Sequence, residues 1–475
     1  METTKRKTVK IILIVAGISA VLIIGINIFL SVYLKKIVAS ELKEQVNKQT
    51  NGLYHAEFKN IDVKLMSRTI SLNDFSLFPD DKLLAGASPE DTIYKNRGWL
   101  NIKYLQLSNI DLRIKDKKIS SVKNFHLKLS DINYILPDSL YNLSVEKVDF
   151  SWKDSTLSVN NFLMRSFVPQ YQFALGPKNK KHTDWFEIEV GALVVENIHI
   201  NHWLDNKEAY VGKIQIDNPV LKNFKNSKIE IEHNKMPLIY EQFQKLPFQY
   251  LAGNVKVNNF LIVYEELAKD GTDPGKITFT NMYGEMDSLT NIVTSHKQMN
   301  KLVASGKLMG EGEINAELYF PVDSTYDYAL IKGTLGPMNM ISLNSIIAPL
   351  APARITGGFI QGMDYTITGG KEAAHINMCL LYRDLKADIL SGDRHKNSFL
   401  TLLANGLIKS NNPDKEGEEV RRVSADHIRD PYHSSFNYLW KIYLSGLMET
   451  LGYTKQRQKG VEWVKDGISK LKGDN

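Results

Sequence analysis

From Ala56 onward an eight-residue pattern keeps returning: apolar, any, apolar, any, then Asn, Asp or Lys, then apolar, any, apolar. It reads AEFKNIDV from Ala56, ISLNDFSL from Ile70, LQLSNIDL from Leu105, LSVEKVDF from Leu143, LSVNNFLM from Leu157, LVVENIHI from Leu193 and VKVNNFLI from Val255. Looser copies begin at Ser120, Ile214 and Ile277. The ten copies form five pairs whose members start 14, 15, 14, 21 and 22 residues apart. Repetition of this kind marks one supersecondary unit stacked on its neighbours.

Each half of the octapeptide alternates with period two, the mark of a strand with one apolar face. Between the halves the alternation slips by one residue. A slip turns the second half inside out unless the backbone makes a bulge or corner at the Asn position. Asn and Asp tolerate the left-handed conformation that such a corner requires. The pattern therefore predicts bent strands whose apolar residues all stay on the concave side. The runs DVKLMSRTISL, RIKDKKISSV and FSWKDSTLSV join two alternating segments through a few polar residues, as hairpins do, while the two later pairs use longer connections. Side by side, such hairpins make an antiparallel meander bent into a trough.

From Lys301 the strands lengthen. In KLMGEGEINAELYF, Leu308, Gly310, Gly312, Ile314, Ala316, Leu318 and Phe320 fall on one face of a single alternating run. GGFIQGMDYTI, AAHINMCLLY and DLKADIL are again strand-like, and Pro237 to Pro247 and Ile341 to Pro349 read as short helices. Near the C-terminus, Phe436, Leu439, Trp440, Tyr443, Leu447 and Leu451 make a helical stripe, followed by Lys455, Arg457, Lys459, Lys465, Lys470 and Lys472. An aromatic amphipathic helix beside bases seats on an anionic membrane surface, or else packs over the open end of the sheet.

The N-terminus is of another kind. Ile11 to Leu34 is a 24-residue run without Asp, Glu, Lys, Arg or His. At about 1.5 Å per residue it is long enough to cross a hydrocarbon core. Lys5, Arg6, Lys7 and Lys10 crowd the short tail before it, which orients that tail to the cytoplasm. The chain's 59 Lys and Arg against 53 Asp and Glu give a net charge of +6. Removing Lys5, Arg6, Lys7, Lys10, Lys35 and Lys36 with Glu2 leaves 59 − 6 = 53 bases against 53 − 1 = 52 acids for residues 37–475. A neutral body excludes a nucleic-acid-binding protein, which needs a surplus of bases to displace counterions. The expected organisation is mainly β: cytoplasmic tail 1–10, transmembrane helix 11–34, linking helix 35–52, an elongated hairpin groove 53–300, a further β region 301–391, and a loop with amphipathic basic tail 392–475.

No catalytic constellation emerges. His199 and His202, three apart in what reads as a strand, fall on opposite faces and do not suggest a metal site. The glycines of TGGFIQG lack the Lys-Ser/Thr of a phosphate loop. Cys379, the one cysteine, sits between Met378 and Leu380 with no evident base. Neither an enzyme nor a cofactor is called for.

The single anchor, the helix ending in TNG and the following YHAEFKNIDVKLMSRTISLNDFSLFPD resemble the start of AsmA-like proteins. Gly333 to Leu390 and the late SSFNYLWKIYLSGL resemble their C-terminal region. The resemblance covers both ends, and the middle through the style of the repeat. It implies a single-pass bacterial inner-membrane protein with its bulk in the periplasm, whose apolar groove carries phospholipid toward the outer membrane, with other envelope proteins as possible partners at the C-terminal end. The residues expected to line that groove are Phe58, Phe75, Leu107, Val145, Phe162, Val195, Val257 and Phe279. Two alternatives stay open at this point: the same side chains filling an ordinary core, and a tethered envelope scaffold that conducts no lipid.

Overall fold

The computed structural model describes residues 32–80, 98–115, 118–136, 140–170, 184–229, 234–351, 353–389 and 408–452. The chain divides into two compact units, Met1–Phe167 with Ala192–Ile198, and Val168–Gly191 with His199–Asn475. Strands dominate both.

The first unit opens with helix α1 (32–49), followed by β1 (Tyr54–Glu57), β2 (Asn60–Lys64), β3 (Thr69–Pro79) and β4 (Trp99–Ser108). After these come β5 (Asp111–Lys115), β6 (Lys118–Lys123), β7 (His126–Ile135), β8 (Tyr141–Ser151) and β9 (Thr156–Ser166). The second half of β10 (Trp185–Ile198) also belongs here. β1 and β2 both lie antiparallel to β3, and β3, β4, β7, β8 and β9 continue as an antiparallel series. β5 and β6 leave this series as a separate two-stranded hairpin, so β4 pairs directly with β7. The chain enters and leaves that hairpin through Asn109 and Asn124, both at positive φ.

The expected left-handed corners are present at eight of the ten repeat positions: Asp74, Asn109, Asn124, Asn161, Asn197, Asn218, Asn259 and Asn281, all with φ between 51° and 56°. Asn60 and Lys147 lack them. The copy at Ala56 breaks into β1 and β2 at Phe58–Lys59 instead of turning within one strand. Asp131 and Asp384, with φ of 51° and 56°, mark two further copies, LKLSDINY and LLYRDLKA.

In the second unit, the first half of β10 lies antiparallel to β12 (Val220–Asn226). Helix α2 (Ile200–Asn206) precedes β11 (Ala209–Asp217). Both β11 and β12 run parallel to β13 (Tyr250–Leu267). The expected sheet was antiparallel throughout; here it is mixed. A parallel neighbour needs a crossover of a dozen or more residues, and 227–249 supplies one, with α3 (Ile239–Gln244) inside it. From β13 the pairing is antiparallel through β14 (Gly275–Met286), with the two-residue β15 (Leu289–Thr290) beside β13. The series continues with β16 (Met299–Leu308), β17 (Gly312–Pro321) and β18 (Ala329–Leu335). The short β19 (Met338–Asn339), a 3₁₀ turn (Met340–Leu343) and α4 (Asn344–Leu350) lead into β20 (Ala353–Gly369), β21 (Ala373–Ile389) and β22 (Val423–Ile428). Helix α5 (Ser435–Thr450) follows, its N-terminus capped by the Ser434 hydroxyl, which accepts from the Asn437 amide.

The run expected as one long strand through Gly310 is a hairpin. Met309 and Gly310 both have positive φ, 54° and 76°, and the Glu311 amide donates to the Leu308 carbonyl, the signature of a type I′ turn. The alternation survives across the turn because Leu308 and Gly312 pair directly and share a face.

No helix among the described residues is long and apolar enough to cross a membrane, and residues 11–31 of the apolar run, Ile11 included, lie outside them. Leu34, the expected far end of the anchor, packs on the cluster of Val38, Val63, Ile70 and Ile110. The sheet's own core thus begins at the last residue of the run. Residues 453–475, with the six terminal bases, also fall outside the described set.

Candidate functional site

In the first unit the strand registers stack apolar residues into four rows of five. Across β3, β4, β7, β8 and β9 these are Leu77–Leu100–Tyr134–Leu143–Met164, Phe75–Ile102–Ile132–Val145–Phe162, Leu72–Leu105–Leu129–Val148–Val159 and Ile70–Leu107–Leu127–Phe150–Leu157. Residues directly opposite on paired strands share a face. Leu72, Phe75 and Ile102 belong to one buried cluster, with Leu77, Leu100, Leu105, Leu129 and Ile132 packed on it. The two middle rows therefore lie on the same face although their members are three residues apart on β3.

Between those rows runs a polar line, Asp74, Lys103, Asp131, Glu146 and Asn161, where every strand pair misses one rung while keeping its register. No extra residue is inserted, so in this unit the slip is made by a corner rather than a bulge. Left-handed residues take the corner on alternate strands, at Asp74, Asp131 and Asn161. Lys103 Nζ lies 3.5 Å from the Asp131 carboxylate, and the Asn161 amide donates to Glu146.

Coverage of this face changes along the strands. Helix α1 lays Val38, Leu42 and Val46 on the clusters around β2, β3 and β4, and Lys35 fixes it to Asp62 at 2.8 Å. That ion pair, with a hydrogen bond from Lys35 as its main cause, holds the Asp62 carboxyl below the usual range. Under α1, Phe75 and Ile102 are each 6% exposed. Farther on, Ile132, Val145 and Phe162 in the same row are only half-buried.

The second unit has a comparable face. One row runs Val257–Gly284–Ala304–Ala316–Gly333–Tyr365–Met378–Val423 across eight strands, beside Leu302–Leu318–Ile331–Ile367–Ile376–Ala425. Tyr365 leans back over Gly333, where any Cβ would come within 2.2 Å of its hydroxyl. At the β20–β22 end the face is filled: Leu238, Tyr438 and Ile442 bury Tyr365, Ile367, Ile376 and Met378. Gly446 of α5 allows this approach, since a Cβ there would stand 3.2 Å from Met378 and 3.3 Å from Ile376. Burial raises the phenols of Tyr365 and Tyr443, whose rings meet edge to face at 4.8 Å. Phe436, on the first turn of α5, also meets the ring of Tyr264 on β13 at 4.8 Å. The second half of β13 thus curls toward the same helix that covers β21.

The expected lining residues sort accordingly. Phe75 is core, and Phe58 and Leu107 pack on the α1-covered clusters. Val145 and Phe162 occupy the half-buried part of one row, and Val195 is half-buried on β10. Val257 and Phe279 are half-buried in the second unit. The row partners Ile132, Val148 and Val159 were not named, although the octapeptide at Leu127 carries the signal for the first. On α5 the buried stripe is Tyr438, Ile442, Gly446 and Thr450, with Leu439 and Tyr443 packed beside it, whereas Phe436 and Trp440 remain 38% and 39% exposed. The helix packs over the sheet, as one of its two readings expects.

His199 and His202 are not on a strand. His199 precedes α2 and His202 lies within it, their rings 5.9 Å apart, with His202 Nδ1 3.6 Å from the Glu208 carboxylate. Among the described residues no group of His, Cys, Asp or Glu is arranged to hold a metal ion. Cys379 is 2% exposed, and burial pushes its thiol up, away from the reactive thiolate. Comparison of the chain with protein-family models and with curated proteins gives no match.

Proposed function

We propose that this is a membrane-tethered protein whose apolar sheet faces shelter phospholipid acyl chains, as the resemblance to AsmA-like proteins implies. The observation that carries the reading is the change of cover along one row: Phe75 and Ile102 are buried beneath α1, while Val145 and Phe162 in that row are only half-buried. A continuous apolar face takes a hydrocarbon tail with a gain of about 0.8 kcal/mol for each methylene removed from water. The polar line from Asp74 to Asn161 faces no such task, and no cofactor enters, because sheltering a tail breaks no bond.

The test is site-specific photocrosslinking of the full chain in its native membrane, followed by mass spectrometry of the adducts. A photoreactive residue at Phe162 or Val257 is expected to capture phospholipid, and one at the covered Phe75 is not. Absence of phospholipid adducts at both Phe162 and Val257 overturns the reading.

A further inference from the structure

Helix α2 is unusual in that none of its residues is buried. Its sequence, INHWLDN followed by Lys207, places Ile200, Trp203 and Leu204 on one face by their helical spacing. Trp203 is 42% and Leu204 46% exposed. Ile200 is half-buried, so the outward apolar surface of this helix is that of Trp203 and Leu204.

A second stripe adjoins it. α3 turns Glu241 inward, with Leu238 before it buried as well, and leaves Ile239 and Phe243 exposed at 59% and 39% on one helical face, while Leu246 just past the helix is 40% exposed. Phe248, two residues past Leu246, meets the indole of Trp203 edge to face at 5.4 Å. Through this contact the apolar side of α2 meets the segment that leads out of α3. Contiguous exposed apolar surface marks a protein or membrane contact.

We infer that this patch dips into the interfacial layer of a phospholipid bilayer. Three observations favour lipid over a protein partner. The exposed apolar side chains sit on two short helices, one with no buried residue and the other with Glu241 alone buried, the form in which proteins insert shallowly at an interface. Each stripe has a lysine beside it: Lys207 places its ammonium 5.9 Å from the Trp203 ring, and Lys245, 66% exposed, stands two residues past Phe243 with its ammonium 3.9 Å from the Glu241 carboxylate. Lysine stems lie along apolar surface while their charges reach phosphate. The chain's own sequence also carries the 24-residue apolar run expected to hold it at a membrane. This contact is independent of whether the sheet faces carry acyl chains.

The buried Cys379 leaves the surface free of thiols among the described residues and lets single cysteines report. Full-length protein with Leu204→Cys, Phe243→Cys or the reference Lys415→Cys is labelled with an environment-sensitive nitrobenzoxadiazole dye. It is then reconstituted in vesicles of phosphatidylethanolamine and phosphatidylglycerol, with spin-labelled phosphatidylcholine as quencher in those vesicles and in an added second population. Labels at 204 and 243 are expected to shift to the blue and to lose most of their emission to the quencher, while the label at 415 does neither. Water-like, unquenched labels at 204 and 243 overturn the inference. A blue shift without quenching overturns it as well, since it shows protein covering the patch.

Discussion

Asn259 on β13 donates its side-chain amide to the side-chain oxygen of Asn218 at 2.7 Å, and both residues have left-handed backbones, with φ of 55° and 52°. The bond joins two corners across the parallel strand pair, one residue beyond the matching bond from Asn258 to Asp217. Asparagine here does two things at once: it accepts the backbone angle and ties neighbouring corners together.

Replacing Asn259 with Ala is expected to destabilise the second unit by about 1–3 kcal/mol, from the left-handed strain of a Cβ without a local polar partner and the lost hydrogen bond. Asn259→Gly removes the bond alone and costs about 0.5–1.5 kcal/mol. Lys147→Ala, at an equivalent repeat position with ordinary φ, stays within about 0.5 kcal/mol. Urea titrations rank the three, and an Ala variant at 259 no less stable than the Gly variant removes the role of the left-handed corner.

Phe75 and Phe162 occupy one row but different surroundings. Phe75→Ala is expected to cost about 3–5 kcal/mol, as for a core phenylalanine. Phe162→Ala, on the half-exposed stretch, is expected to cost about 1 kcal/mol, less than the full burial value for such a side chain. Equal losses in thermal denaturation mean that the face is packed as tightly at β9 as at β3.

Asn412 has no exposed surface, and its side chain satisfies three backbone groups: it donates to the carbonyls of Leu380 and Arg421 and accepts from the Arg421 amide. Arg421 in turn donates to the Thr450 carbonyl at the end of α5. Asn412→Leu strands those groups and is expected to cost about 2–4 kcal/mol. Hydrogen exchange should accelerate first at 447–452, and uniform acceleration across the second unit contradicts a local clasp.

Hydrogen bonds from Tyr283, Lys256 and Asn254 lower the Glu285 carboxyl from an ordinary 4.5 to about 2. Because the folded value lies below the unfolded one, the stabilisation is present above about pH 4.5 and is lost as pH falls toward 2. The melting temperature of the native chain should fall through that window more steeply than that of Glu285→Gln. Parallel curves from pH 5 to about 2 rule out this linkage.

The corners were legible because a parity slip admits few backbone solutions, and Asn or Asp at the slip names the one used. The hairpins at Met66, Asp154 and between β5 and β6 followed from short polar joints. What escaped was non-local. The parallel placement of β11 and β12 beside β13 depends on where residues 227–249 carry the chain, which alternation does not record. His199 and His202 looked like strand residues because IHI continues the period-two run of β10 into the turn before α2. On α5, the stripe read from helical spacing included Phe436 and Trp440, which stay exposed, whereas packing on β21 centred on Tyr438, Ile442 and Gly446, with Met378 and Ile376 close to that glycine.

The polar line from Asp74 to Asn161 is a crease in which every second strand supplies a left-handed corner, at Asp74, Asp131 and Asn161. Because the corners recur on every second strand, the repeating unit is the hairpin, and a hairpin carrying the same octapeptide adds or deletes two strands without shifting the crease or the rows beside it. Chain length then becomes a freely adjustable dimension of such a sheet, set by duplication of a short segment, while its cross-section stays constant.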